Sequence, residues 1–355
     1  MRNILAIICL TIFSIGIAQA KTSAVSWTGF AAAEDIDNIH GGIKSGSVLL
    51  ATGEITATVD LQKAGWWDGG KVALGVFGLQ QTHNQSLYTG SIQGPSNLTG
   101  VNEIKLSDLA YEQDFSNHFM ARAGIMDIEN YFNRTEVSDY ICNSAHHTGA
   151  WIANVQVPTT PFPGFGALGQ YQDQTITAQV AIFQGNPQHQ GSVFNRGYLL
   201  IGELAGTFTG NNKWSPNVTL KAGVWQYHQT LEWVGHSNHG LYGIVEAIWE
   251  TQSGRTFDVA LDLGTTPKKY GYVYDSFAIY FSMSKLLDFR PKDHLNAAVG
   301  SVWITNFDTE TFVELSYSIH IIDNLRLIPD VQYFVKPSGI YPNAWVGILR
   351  LMYEF

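Results

Sequence analysis

Cysteine is almost absent. The 355 residues hold two, and Cys9 lies in an apolar leader. Only Cys142 is left beyond it, so no intrachain disulfide can form there, and a small secreted scaffold stapled by disulfides is excluded. Charge is scarce as well. Asp, Glu, Lys and Arg make up 14% of the chain, against about 25% in ordinary globular proteins. Basic residues are the scarcer sign: setting Arg2 aside from the 20 Lys and Arg leaves nineteen against 30 Asp and Glu. Without a basic face to neutralise phosphates, no nucleic-acid partner is expected. After residue 20 no apolar run is long enough for a spanning helix. No G-x-S-x-G nucleophile motif occurs. The carboxylates are spread over many segments, unlike the single facing pair of a glycosidase.

What is present points to strands in a membrane. Residues 1–20 read as an export signal: Arg2, an apolar stretch from Leu5 to Ile17, and Ala18-Gln19-Ala20 as a cleavage site. The expected mature chain, 21–355, is one domain. Aromatic residues reach 13%, and apolar and polar positions alternate with period two. Ile55, Ala57, Val59 and Leu61 alternate with Glu54, Thr56, Thr58 and Asp60, and Val313, Leu315, Tyr317 and Ile319 with Glu314, Ser316, Ser318 and His320. Each such strand has one apolar face.

Sixteen strands are expected, near 25–31, 48–61, 71–80, 105–115, 118–127, 163–171, 173–183, 198–208, 217–229, 239–250, 255–264, 273–283, 293–304, 310–321, 324–335 and 344–355. Tight turns at Ser116-Asn117, Gln172 and Asp323-Asn324 fall at one end, with the termini. The long segments 81–104, 128–162 and 184–197 fall at the other. Short turns at one end and long loops at the other mark an all-β, antiparallel transmembrane barrel better than a soluble sandwich. An outer-membrane barrel acting as adhesin or enzyme, or a secreted all-β binding protein, are the competing readings.

Several short segments, in their order, resemble the carbohydrate-selective porin family typified by glucose porins of Gram-negative bacteria. They include Asn38-Ile39-His40-Gly41-Gly42, Gly65-Trp66-Trp67-Asp68, Tyr111-Glu112-Gln113, Arg122-Ala123-Gly124 and Ser138-Asp139-Tyr140. Further on come Phe183-Gln184-Gly185-Asn186-Pro187, Gly240-Leu241-Tyr242-Gly243, Glu314-Leu315-Ser316-Tyr317, Pro329-Asp330-Val331-Gln332-Tyr333 and the terminal Phe355. The resemblance implies a sixteen-stranded barrel in the outer membrane that passes small neutral sugars without a cofactor. It also implies outer-membrane lipids and the barrel-assembly machinery as partners, with Phe355 as the assembly signal. The oligomeric state stays open. One departure stands out: Cys142-Asn143-Ser144-Ala145-His146-His147 replaces an Asn-Ser-Ser-Phe-Gly-like stretch, which puts the family's substrate preference in doubt here.

Parity places the candidate residues. Asp108, Glu112, Arg122, Lys221, Asp258, Asp262, Glu314, Arg326, Asp330, Arg350 and Glu354 are expected to face the lumen, with Glu112 opposite Arg122. Trp225 and Tyr227 share the polar face of their strand, where a sugar's C–H face could lie on a ring. The loop 128–162 carries Tyr131, Phe132, Tyr140, Trp151 and Ile152, too apolar to leave in water. It is expected to fold inward and constrict the barrel, with Glu129, Arg134, Asp139 and Trp151 at the narrowing. The spacing of Cys142, His146 and His147 fits no common metal site.

Overall fold

The computed structural model describes residues 24–146, 149–188, 193–210, 215–228 and 237–355. The leader at 1–20 and His147 lie outside these residues, as do the side chains of Asp139 and His146. Sixteen strands form: β1 (Val25–His40), β2 (Gly46–Asp60), β3 (Gly70–Gln81), β4 (Glu103–Asp114), β5 (Phe119–Met126), β6 (Gly164–Gln172), β7 (Ile176–Gln184) and β8 (Tyr198–Phe208), then β9 (Asn217–His228), β10 (Asn238–Glu250), β11 (Thr256–Thr265), β12 (Val273–Ser284), β13 (His294–Ile304), β14 (Glu310–Ile322), β15 (Leu325–Val335) and β16 (Ala344–Glu354). Each pairs with its neighbour in sequence, and β16 pairs with β1 to close the sheet. Closure leaves no unpaired edge, which a membrane requires because lipid offers no hydrogen bonds to free backbone groups.

Alternation sets the two faces. Leu74, Val180, Leu204, Val224, Leu263, Val313 and Leu349 point outward and are exposed. Glu34, Glu203, Glu246, Asp262, Glu310, Glu314 and Arg350 point inward and are buried. Two irregularities alter this pattern locally. A bulge opposite Gly75 and Val76 turns both Ser107 and Asp108 inward, so β4 changes parity partway along. Pro329 sits where the β14–β15 ladder skips from Asp330 to Leu327, so its missing N–H costs no bond there. β1 runs nine residues beyond its expected end.

The lumen holds two loops. L3 (127–163) carries four short 3₁₀ turns: Ile128–Asn130, Val137–Tyr140, Ser144–His146 and Ala150–Asn154. L2 (82–102) lies beside it. They join through backbone bonds from Asn97 N to Cys142 O at 2.8 Å and from Ser144 N to Gly94 O at 2.8 Å. The inward fold of L3 matches expectation. That of L2 does not: its sequence reads only as a long external connection.

Candidate functional site

The inner wall divides into a covered arc and an open one. On the covered arc, inward carboxylates accept bonds from loop backbone. Glu203 on β8 accepts Asn133 N at 3.0 Å, and Asp262 on β11 accepts Asn133 Nδ2 at 2.7 Å. Glu246 on β10 accepts Glu136 N at 2.7 Å and Val137 N at 3.2 Å. Glu314 on β14 accepts Cys142 N at 2.7 Å and Asn143 N at 2.9 Å. Lys221 on β9 donates to Arg134 O at 2.7 Å. A loop without a ladder of its own has many backbone donors to satisfy, and the wall supplies the acceptors. L2 is seated the same way. Glu310 accepts Ser91 Oγ, Ile92 N and Gln93 N at 2.7–3.0 Å, and also Ser338 N at 2.5 Å. Arg350, ion-paired with Glu34, donates to Asn97 Oδ1 at 2.7 Å.

Aromatic packing completes the L3 seat. The Trp151 ring stacks on Trp225 at 5.0 Å and on Tyr242 at 5.9 Å. Glycine makes room for this. A Cβ at Gly223 would meet the Tyr242 ring at 2.0 Å, and one at Gly240 the Trp225 ring at 2.6 Å. Trp225 and Tyr227 therefore point inward as expected, but both are buried beneath the loop. Their surfaces are taken by packing, which corrects the expectation that they meet a passing sugar.

The open arc is β3–β5. Lys71 Nζ bonds Glu112 Oε1 at 2.8 Å and Asp114 Oδ2 at 3.1 Å. Arg122 reaches Glu112 Oε2 at 3.1 Å and Asp108 Oδ2 at 2.5 Å. Glu112 does face Arg122 in register. Lys71 is 40% exposed and Asp108 21%, whereas the acids under L3 are sealed. L3 brings Tyr131 near this wall, where burial, ahead of the charges of Arg122, Asp108 and Glu112, pushes its phenol up to about 12. At the root of L3, Asp127 accepts from Glu129 N at 2.8 Å and from Thr160 N at 2.5 Å. Burial pushes the Asp127 carboxyl up to about 6 and raises that of Glu129 as well.

The other expected residues fall as follows. Asp258 and Asp330 are buried on the covered arc. Arg326 bonds Glu354 at 2.6 Å. Phe355 exchanges two 3.0 Å backbone bonds with Gly29 across the closing seam. The Asp139 side chain is not among those described. Lys71, Glu203, Glu246 and Glu310 were not singled out from sequence, although parity carried through β3, β8, β10 and β14 would have found them; Glu34 lies in the half of β1 whose two faces are both polar. Glu103 and Lys105, paired at 2.8 Å, were hidden by the bulge.

The carbohydrate-selective porin model, OprB family, matches residues 50–275 and 207–355. The chain belongs to that family. The high-pH structure of Pseudomonas putida OprB superposes with a TM-score of 0.83 at 17% identity, covering 94% of each chain. The low-pH structure of the same protein gives 0.64 at 17% identity, over 94% of this chain and 93% of that one. A mutant of the Rh. blastica porin gives 0.56 at 9% identity, over 93% of this chain and all of that one. No curated relative matches the sequence. These likenesses are in fold, and the family model adds function. This OprB-family chain is a carbohydrate-selective porin of the outer membrane, and its family and fold point to a channel rather than an enzyme.

Proposed function

We propose that this porin lets monosaccharide-sized neutral solutes diffuse passively along the gap between the β3–β5 charge ladder and L3. The observation that carries the reading is the contrast in exposure. The ladder Lys71–Glu112–Arg122–Asp108 keeps part of its surface exposed, from 40% at Lys71 to 11% at Arg122, while Glu203, Glu246, Asp262 and Glu314 are buried under L3. Alternating donors and acceptors suit a hydroxyl-rich solute with no net charge. The residues assigned to the path are Asp108, Glu112 and Arg122 on the wall, with Glu129 and Arg134 on the loop. Trp151 holds the loop in place. Export would remove residues 1–20. Phe355 would serve the barrel-assembly machinery, and the outward apolar face would meet outer-membrane lipid.

Liposome swelling tests the reading. Neutral hexoses should enter several times faster than disaccharides, and Glu112→Gln with Arg122→Gln should alter hexose rates while leaving the folded barrel intact. Equal rates for hexoses and disaccharides would sink it.

A further inference from the structure

A second cluster of chemistry lies away from the path. Where L3 meets β14 and β15, the ligand atoms of Cys142, Glu314 and Asp330 all lie within 4.8 Å of one another, and all three residues are buried. Asp330 Oδ1 accepts Gln332 Nε2 at 2.9 Å, but its buried Oδ2 meets no N–H or hydroxyl donor among the described residues. Glu314 accepts the loop N–H groups of Cys142 and Asn143, and its carboxyl also lies within hydrogen-bond reach of the Asp330 carboxyl. The nearby cation, Arg350, is already ion-paired with Glu34. Two carboxylates and a thiol are thus enclosed together, and a buried charge is retained only where it is paired or coordinates a metal.

We propose that Cys142, Glu314 and Asp330 form a structural site for a zinc-like divalent cation that clasps L3 to the barrel wall. Zinc takes thiolate sulfur at about 2.3 Å and carboxylate oxygen at about 2.0–2.2 Å. Donor atoms around one ion then sit ~3.5 Å apart, so modest side-chain rotations close the present cluster onto it. The thiol proton leaves to solvent as the Cys142 sulfur–metal bond forms. A thiolate donor favours zinc over magnesium or calcium, which take oxygen alone. Local sequence could not reveal the site, because Glu314 is 172 residues from Cys142. The inference does not depend on which solute the channel admits.

The test uses the full mature chain purified from membranes in detergent. Metal analysis after gel filtration should find close to one zinc per chain. Protein stripped with chelator and incubated with cobalt(II) should show a near-ultraviolet sulfur-to-cobalt charge-transfer band. Cys142→Ser should lose that band, and Asp330→Asn should weaken zinc binding at least tenfold. His83→Ala, at an exposed position of L2, should change neither. Both cluster variants are close in size to the native residue, and heat-modifiable mobility checks their folding. The wild-type cobalt spectrum is a readout independent of any variant. The proposal is overturned if folded wild-type protein binds no stoichiometric zinc or cobalt. It is also overturned if Cys142→Ser keeps the band, or if infrared spectra show that Glu314 and Asp330 instead share a proton in zinc-treated protein.

Discussion

Arg350 is buried, ion-paired with Glu34 and bonded to Asn97 Oδ1. Replacing it with Ala would leave the Glu34 carboxylate enclosed without a counter-charge, a loss of about 3–5 kcal/mol. The folded band on an unheated gel should then convert at a clearly lower temperature. Arg350→Lys should recover only part of the loss, since one ammonium cannot reproduce the guanidinium fork. Asp127 gives a pH signature. Its native carboxyl titrates at about 6 because it is buried, above the value near 4 of a free Asp. The native state therefore holds the proton more tightly than the unfolded one between about pH 4 and 6. Stability conferred by this group is fully present below pH 4 and is lost as pH rises through about 6. Melting experiments across pH 4–7 should show this decline, and Asp127→Asn should flatten it. A steeper decline in the variant would contradict the assignment.

At the level of elements, the strands were legible because a period of two needs only the order of residues. L3 was legible because Phe132, Trp151 and their neighbours must be buried somewhere. The second half of β1 was not. Glu34 and Asn38 point inward while Asp35 and Asp37 point outward, so both faces are polar and alternation disappears. L2 escaped for a related reason: it is seated by polar bonds to Glu310, Glu34, Gln332 and Arg350 on distant strands, and its own sequence carries few apolar residues. The aromatic pair at Trp225 and Tyr227 was placed on the correct face, but its cover, Trp151, comes from another element. These differences yield tests. Shortening L3 between Tyr131 and Trp151 should raise single-channel conductance severalfold and admit larger sugars, and unchanged conductance in a folded deletion would remove its constricting role. Trp151→Ala should destabilise by about 3–5 kcal/mol and increase open-channel noise. Glu310→Ala should orphan the backbone donors at Ile92 and Gln93 and loosen L2, with a smaller gain in conductance than the L3 deletion.

At the scale of the whole molecule, a closed ladder with no free edge should resist detergent. Purified protein should be β-rich and migrate faster unheated than boiled; a helical, heat-insensitive product would contradict the fold. Along the open arc the charges alternate in sign, with Asp108, Glu112 and Asp114 outnumbering Lys71 and Arg122. Bilayer recordings should therefore give a mild cation preference that fades as salt screens the wall, and strong anion selectivity would refute the assigned path. Removing Phe355 deletes its two bonds to Gly29 at the seam and should lower the amount of barrel recovered from the outer membrane.

The seating of L2 has a consequence for timing. Several of its residues bond to partners 217 to 253 positions later in the chain, on β14 and β16. Contacts so remote form only after the intervening segments are in place. The seat of L2 is therefore completed only once β14 and β16 have joined the sheet. Slowing the last step, as in the Phe355 deletion, should make cells leak hydrophilic dyes too large for the finished channel.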